Sequence, residues 1–223
     1  MKKEIIKTRD GSNTLFVPEF DETYHSSHGA IQESLHVFIR NGLKFKSELN
    51  DLSLLEVGFG TGLNALLSFI DSEETIRKIR YTSLEAYPLK WDLVSKLNYI
   101  DLISFGKYSE TYKKMHTCDW ESFTTLSPYF TLKKQNIKLQ DVLFDNEFDV
   151  IYFDAFAPRV QPDLWTEQIF ASMYKALKPE GVLVTYCAKG SVKRDLKYVG
   201  FELQSIPGPP GKREMSRAIK PRS

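Results

Sequence analysis

Several stretches of this sequence put glycines and carboxylates where strand-to-helix turns would present them to a ligand. The first is Glu56-Val57-Gly58-Phe59-Gly60-Thr61-Gly62-Leu63-Asn64. Glycine lets a backbone turn sharply after a strand and approach a ligand with no Cβ in the way. The pattern is GxGxG, so it departs from the dinucleotide fingerprint, whose third glycine falls one residue later. Its spacing suits a loop wrapped around the amino-acid part of S-adenosylmethionine (SAM), with Glu56, Gly58, Gly60, Gly62 and Asn64 as candidate contacts. Any tight strand-to-helix turn uses glycine, so the loop gains its weight from following the first buried strand.

Glu85 closes the next strand, about 25 residues on, where an acid can accept both ribose hydroxyls of an adenosine cofactor. Asp141, in Lys138-Leu139-Gln140-Asp141, ends a third strand within reach of an adenine amine, and Asp119 and Trp120 compete for that role. Asp154-Ala155-Phe156-Ala157-Pro158 directly follows the apolar run Phe148–Phe153. A carboxylate at that strand end can accept a hydrogen bond from an amine, hold it in line with a sulfonium methyl and offset developing positive charge. Phe156 and Pro158 are then candidate pocket walls, and Asp154 is the candidate catalytic residue. Methyl transfer from SAM is an in-line displacement that needs no metal. The attacking amine must be neutral, because an ammonium has no lone pair, so its proton must first pass to water or to Asp154.

These residues need a scaffold of strands followed by turns. Residues 4–18 read as two short strands about Asp10-Gly11, a hairpin signal, and Ala30–Ile39 as an amphipathic helix ending near Asn41-Gly42. Strands are expected at Leu52–Phe59, Ile79–Ala86, Phe148–Phe153, Gly181–Cys187, Phe201–Ile206 and Met215–Ile219, with one bent or two short strands in Phe130–Val142. Helices are expected at Leu63–Ile70, Pro88–Ile100, Asp163–Leu177 (stopped by Pro179 and Gly181) and Ser191–Val199; residues 106–130 are ambiguous. Strands alternating with helices imply a mostly parallel sheet covered on both faces. The expected fold is α/β and Rossmann-like, a class I SAM-dependent methyltransferase with a seven-stranded sheet and an antiparallel C-terminal edge. Residues 51–223 would form the core and 1–50 a hairpin-and-helix extension of the same domain.

The chain has 223 residues, 42% hydrophobic and 26% charged, which suits one globular domain rather than a disordered or fibrous chain. No apolar run approaches a membrane span, and the start, MKKEIIKTRDGS, has no apolar core of a signal peptide. Cys118 and Cys187 then read as free thiols of a cytoplasmic protein. His25 and His28 lack further ligands at metal-binding spacing, so no metal is expected. The net charge is +1, but from Lys189 onward it is +6 and before it −5. A one-sided basic segment attracts phosphates, though charge alone favours reading it as a solvated face.

Beyond these features, the chain resembles the MnmC-like methyltransferase family in its stand-alone form. The matching stretches are FDETYHSSHGAIQESLHVFI (20–39), LEVGFGTGLNALL (55–67), SLEAYPL (83–89), FDVIYFDAFAPRVQPDLWTEQIF (148–170), GVLVTYCAKGSVKRDLKYVGF (181–201) and PGPPGKREMSRA (207–218). The DAFAP and GPPGKREM stretches are the specific ones. The resemblance implies SAM-dependent methylation of the 5-aminomethyl nitrogen of the wobble uridine in tRNA, giving 5-methylaminomethyl-2-thiouridine. It makes Tyr24, His25 and Ser26 candidates for closing over cofactor and substrate, with a packed lid as the alternative. It makes Lys189, Lys193, Arg194, Lys212, Arg213 and Arg217 candidate phosphate contacts for the anticodon stem-loop, whose wobble base would be splayed into a pocket. Gly208–Gly211 would let the backbone pass close to the site. Two-domain relatives carry a flavin-dependent oxidoreductase that makes the amine. This sequence stops soon after GKREM, so no oxidoreductase activity is expected, and a separate flavin enzyme is a possible partner.

Two other readings share these residues. A SAM methyltransferase for another RNA or a small amine would differ in pocket and basic surface. A non-enzymatic nucleotide- or RNA-binding module is disfavoured by Glu56, Gly58, Gly60, Glu85 and Asp154 occurring together.

Overall fold

Strands buried on both faces read as unbroken apolar runs, and the runs here build one sheet. The computed structural model describes residues 2–222. Its N-terminal part is a small antiparallel sheet of β1 (Glu4–Lys7), β2 (Asn13–Val17) and β3 (Glu22–Thr23), turning at Asp10-Gly11 as expected. Helix α1 (Ala30–Ser34) widens into π geometry over Leu35–Arg40 and stops at Asn41.

The main sheet follows. β4 (Asp51–Val57) leads through the glycine loop into α2 (Leu63–Thr75), and then come β5 (Lys78–Leu84), α3 (Trp91–Val94), α4 (Tyr99–Ser104) and α5 (Ser109–Thr117). Next are the hairpin β6 (Phe123–Ser127) and β7 (Phe130–Gln135), then β8 (Phe148–Phe153), α6 (Glu167–Ala176), β9 (Leu177–Thr185), α7 (Gly190–Tyr198), β10 (Glu202–Pro207) and β11 (Glu214–Ile219). The spatial order is β10-β11-β9-β8-β4-β5-β7-β6. β7, β5, β4, β8 and β9 are parallel, and β11 runs antiparallel to both β9 and β10.

The sheet has eight strands where seven were expected. The extra one is β6, which pairs antiparallel with β7 at the far edge and lies in the ambiguous stretch. The Arg80 guanidinium of β5 sits 4.2 Å from the centre of the β6 ring Phe123. Opposite faces of the sheet carry separate cores: Leu52, Leu54, Tyr81 and Tyr152 pack on one, Leu55, Val57, Ile151 and Phe153 on the other. This is the period-two alternation of strands.

Several expected boundaries move. The helix expected over Pro88–Ile100 is broken, because Asn98 turns its side chain to the N-terminal hairpin. It accepts from the Asn13 N–H at 2.7 Å and donates to the Gly11 carbonyl at 3.0 Å. Helix α6 starts at Glu167, four residues after Asp163, and the Thr166 hydroxyl just before it caps the Ile169 N–H. Pro179 and Gly181, expected to stop that helix, lie inside β9. The ladder with β8 shifts register between Phe148 and Val150, and that bulge accommodates a residue with no N–H to give.

Candidate active site

From β4 the chain proceeds outward to β5 and β7, then returns to place β8 on the other side of β4. Open α/β sheets bind ligands at the carboxyl ends of the strands flanking such a reversal. The register aligns those ends: Val57 pairs with Leu84 on one side and Phe153 on the other. The residues that follow, Gly58, Glu85 and Asp154, therefore form a row along the sheet's edge. The Asp154 N–H donates to the Val57 carbonyl at 3.1 Å and the Gly58 N–H to the Leu84 carbonyl at 2.9 Å.

Above this row is a cleft of about 740 Å³ lined by Gly58, Gly60, Asn64, Glu85, Asp154 and Phe156 among others. At Gly58 (φ +91°) a Cβ would lie 2.9 Å from the Asp154 carbonyl oxygen, so a side chain there would force the two strand ends apart. Glu85 accepts from the Gly60 N–H at 2.9 Å and the Tyr87 N–H at 2.7 Å, which fixes its carboxylate beside the loop. Asn64, in the first turn of α2, donates to Asp154 Oδ2 at 2.8 Å. The hydroxyl of Thr61 and the amide oxygen of Asn64 are buried beside the cleft with no hydrogen-bond partner. Buried polar atoms of this kind normally bond something, and the amino-acid part of SAM would supply partners. Glycine cradle, strand-end acid and orphaned polar atoms together fit SAM: the loop and Thr61 for its amino-acid end, Glu85 for its ribose.

Burial pushes the Asp154 carboxyl up to about 7, and the Glu33 carboxylate adds to the rise. The Asn64 amide and the Lys212 ammonium oppose it. Tyr24 and His25, from the N-terminal extension, close over the cleft. Tyr24 meets Phe156 edge to face at 5.0 Å. His25 hydrogen-bonds through Nδ1 to the Thr14 hydroxyl at 3.2 Å, and burial pushes it down to about 4, so it is a neutral packed ring. The DAFAP loop is strapped to the same extension, with Arg159 donating to the Phe20 and Asp21 carbonyls and pairing with Glu22.

Some expected contacts lie elsewhere. Glu56 does not line the cleft. Alternation along β4 turns it beneath α2, fully buried, where it accepts from the Ser83 hydroxyl at 2.6 Å. Burial pushes its carboxyl up to about 8. Gly62 also falls outside: it precedes α2 at φ +73°, and a Cβ there would lie 2.7 Å from His116. His116 and Tyr112, on α5, both bond the Thr61 carbonyl and hold the loop from behind, at 3.0 and 2.6 Å. Asp141 is exposed and outside the cleft because β7 ends early and Ile137–Gln140 cross the site instead. Its rivals are outside too, and Trp120 instead packs against the buried Lys134 ammonium, 4.6 Å from its ring centre.

Pro158 lines not the cleft but a groove of about 480 Å³ beside it, with Lys189, Lys212 and Arg213. Lys189 and Arg213 are exposed and make no salt bridge among the described residues. Lys212 is turned inward to Glu33 at 2.8 Å, Lys193 pairs with Glu214 at 2.7 Å, and Arg217 donates to Gln204 at 2.9 Å and stacks on Phe45. These three are committed within the protein, unlike the free phosphate contacts expected of them. Sequence reading missed Glu33, Thr61, Gln140 and Tyr186, which all line the cleft. Glu33 left one signal: it is a carboxylate three residues from Ala30 and four from Val37, inside the apolar stripe of its helix.

A doubly covered parallel sheet with a glycine cradle and carboxylate at its reversal point defines a Rossmann-like enzyme of the SAM-dependent methyltransferase class. A family model described as S-adenosyl-L-methionine-dependent methyltransferase matches residues 103–221, over half the chain. The chain belongs to that family, and SAM is its cofactor. It is 27% identical, over 95% of its length, to the tRNA 5-methylaminomethyl-2-thiouridine biosynthesis bifunctional protein MnmC of Actinobacillus pleuropneumoniae serotype 5b. A protein of the same name from a Marinomonas species is 25% identical over 89% of the chain. The chain spans about a third of the length of these relatives, 34% and 31%. The crystal structure of MNMC2 from Aquifex aeolicus superposes on the whole chain with a TM-score of 0.80 at 26% identity, using 72% of its own length. Spermidine synthase from Thermotoga maritima shares the fold alone, with a TM-score of 0.51 at 16% identity and coverage of 100% and 72% of the two chains.

Proposed function

We propose that this chain, acting as one methyltransferase domain, methylates the nitrogen of a 5-aminomethyl group on the wobble uridine of tRNA, giving 5-methylaminomethyl-2-thiouridine. The observation that carries this reading is the pairing of Asp154 with the glycine loop at adjacent strand ends, its carboxylate steadied by Asn64. The names of the relatives support the choice of tRNA.

SAM supplies a methyl group on a positively charged sulfur. The chain's task is to bring a neutral nitrogen to it in line. Asp154 is the residue that accepts a hydrogen bond, and then the proton, from the incoming ammonium. Its raised affinity for protons narrows the gap to an alkylamine and makes the transfer less uphill. Asn64 keeps the carboxylate oriented, so positioning contributes alongside proton transfer. Tyr24, Phe156 and Tyr186 offer aromatic walls to a splayed base. Lys189 and Arg213 take the flanking phosphates in the adjoining groove.

The test is direct. The protein is incubated with SAM and tRNA carrying 5-aminomethyl-2-thiouridine, and the digested nucleosides are analysed by mass spectrometry. The expected result is one added methyl on that nucleoside. No gain there, with methyl transfer to a small amine or another RNA, would replace this substrate with that one.

A further inference from the structure

Three segments distant in sequence meet at one wall of the cleft. From α1, Glu33 is buried and accepts the Ser26 N–H at 2.7 Å on one oxygen and the Lys212 ammonium at 2.8 Å on the other. Lys212, from the β10–β11 loop, also lies 3.8 Å from the centre of the Tyr186 ring. Tyr186, just after β9, anchors its hydroxyl on the Ala155 carbonyl at 2.8 Å, next to Asp154. The loop is held as well: the Lys212 N–H bonds the Pro209 carbonyl at 2.9 Å, and Gly211 packs so closely on the His28 ring that a Cβ would collide with it. Glu33, Lys212, Tyr186 and Asp154 all line the cleft. The ammonium is thus built into the site.

A cationic amine reaching this wall of the cleft meets two carboxylates, Glu33 and Asp154, and only Asp154 leads to methyl transfer. We propose that Glu33 and Lys212 are a positioning pair, in which the Lys212 ammonium neutralises Glu33 so that the incoming ammonium is directed to Asp154. The inference rests on the amine substrate proposed above. Asp154 Oδ2 is taken by Asn64, and Oδ1 takes no hydrogen bond among the described residues. Glu33 has both oxygens engaged. The charges acting on Asp154 agree with this division, since Glu33 raises its proton affinity and Lys212 lowers it. The other titratable groups coupled to Asp154 are Glu56 from β4, Tyr81 from β5 and Tyr186, all strongly biased by burial toward their neutral forms. The ion pair is therefore the main adjustable field at the acceptor carboxyl.

The test uses Glu33→Gln, Lys212→Met, the double variant and Lys212→Arg. The first readout is the titration midpoint of Asp154, followed by isotope-edited infrared spectroscopy of the ¹³C-aspartate-labelled protein and assigned with Asp154→Asn. It needs no substrate. Lys212→Met should move the midpoint up and Glu33→Gln down, each by roughly half a pH unit or more. Lys212→Arg, and the double variant with its neutral pair, should stay near the wild type. The second readout is methyl transfer to the tRNA amine. Lys212→Met should lower kcat by about tenfold (about 1.4 kcal/mol) with a smaller change in KM, and the double variant should recover most of it.

Midpoints that stay put, or move the same way in both single variants, would overturn the pair's role. So would a double variant no better than Lys212→Met. If Lys212→Met does not fold, Glu33→Gln against the double variant still decides, because removing Lys212 should undo the downward shift. Failure of the wild-type protein to methylate the tRNA amine would count against the substrate instead, leaving the infrared result to judge the field.

Discussion

Asp154 is held where its charge is disfavoured, and that is what suits it to receive a proton near neutrality. Asp154→Ala is expected to keep SAM binding by calorimetry and lose roughly 100-fold or more in turnover. In the wild type, kcat/KM should climb with pH through about 7 as the carboxyl ionises. Wild-type turnover in the alanine variant would remove Asp154 from the chemistry. Glu56 shows the same physics without a place in the cleft. Its folded-state pKa is raised, so the native protein binds more protons than the unfolded chain from the ordinary carboxylate range up to about 8. Stability from this group is therefore present at low pH and lost as pH rises through that window, by at most about 1.4 kcal/mol per unit. Glu56→Gln should gain on the wild type in urea unfolding from pH 5 to 8 and then level off. Parallel curves would show that Glu56 ionises freely in place.

At the scale of elements, the site depends on strand ends kept in register. Gly58 joins two of them, since its missing side chain is what lets β4 and β8 end side by side. Gly58→Ala combines backbone strain of about 1–2 kcal/mol with a clash against backbone. It should weaken SAM binding by about tenfold or more. Gly106 provides the control, because it has φ +86° and open space where a Cβ would go. Gly106→Ala should lower Tm without changing SAM affinity. Equal affinity losses in both would mean that strain alone, rather than the Asp154 contact, makes Gly58 necessary. Helix α5 belongs to this scale too, since Tyr112 and His116 hold the loop's Thr61 carbonyl from a distant part of the chain.

Over the whole molecule, charge is sorted along the sequence but regrouped by folding. No helix among the described residues is long and apolar enough to cross a membrane. The basic segment from Lys189 onward is partly spent internally, on Glu33, Glu214 and Phe45, leaving Lys189 and Arg213 open beside the cleft. Reversing both to glutamate should raise the KM for tRNA several-fold and flatten its dependence on salt, because fewer counterions are released on binding. SAM affinity should not change. An unaltered KM and salt slope would place the RNA on another face.

Local chemistry carried much of this in the linear sequence. Apolar runs marked β4, β8 and β9, whose burial on both faces demands such runs. Gly58 and Gly60 and the acids Glu85 and Asp154 stand at or just past strand ends, which is why their positions at the site were legible. Side-chain direction and long-range pairing were not. Glu56 stands beside the glycine loop in sequence yet points beneath α2, because the strand pleat alternates its faces. Asp141 misses the site because β7 ends a few residues early. Lys212 looked like a free surface charge and is an internal ion pair, since its partner Glu33 lies 179 residues away and only the folded sheet brings α1 against the β10–β11 loop. Short-range sterics and hydrophobicity act through neighbours along the chain, whereas a charge's role depends on which distant group folding leaves beside it.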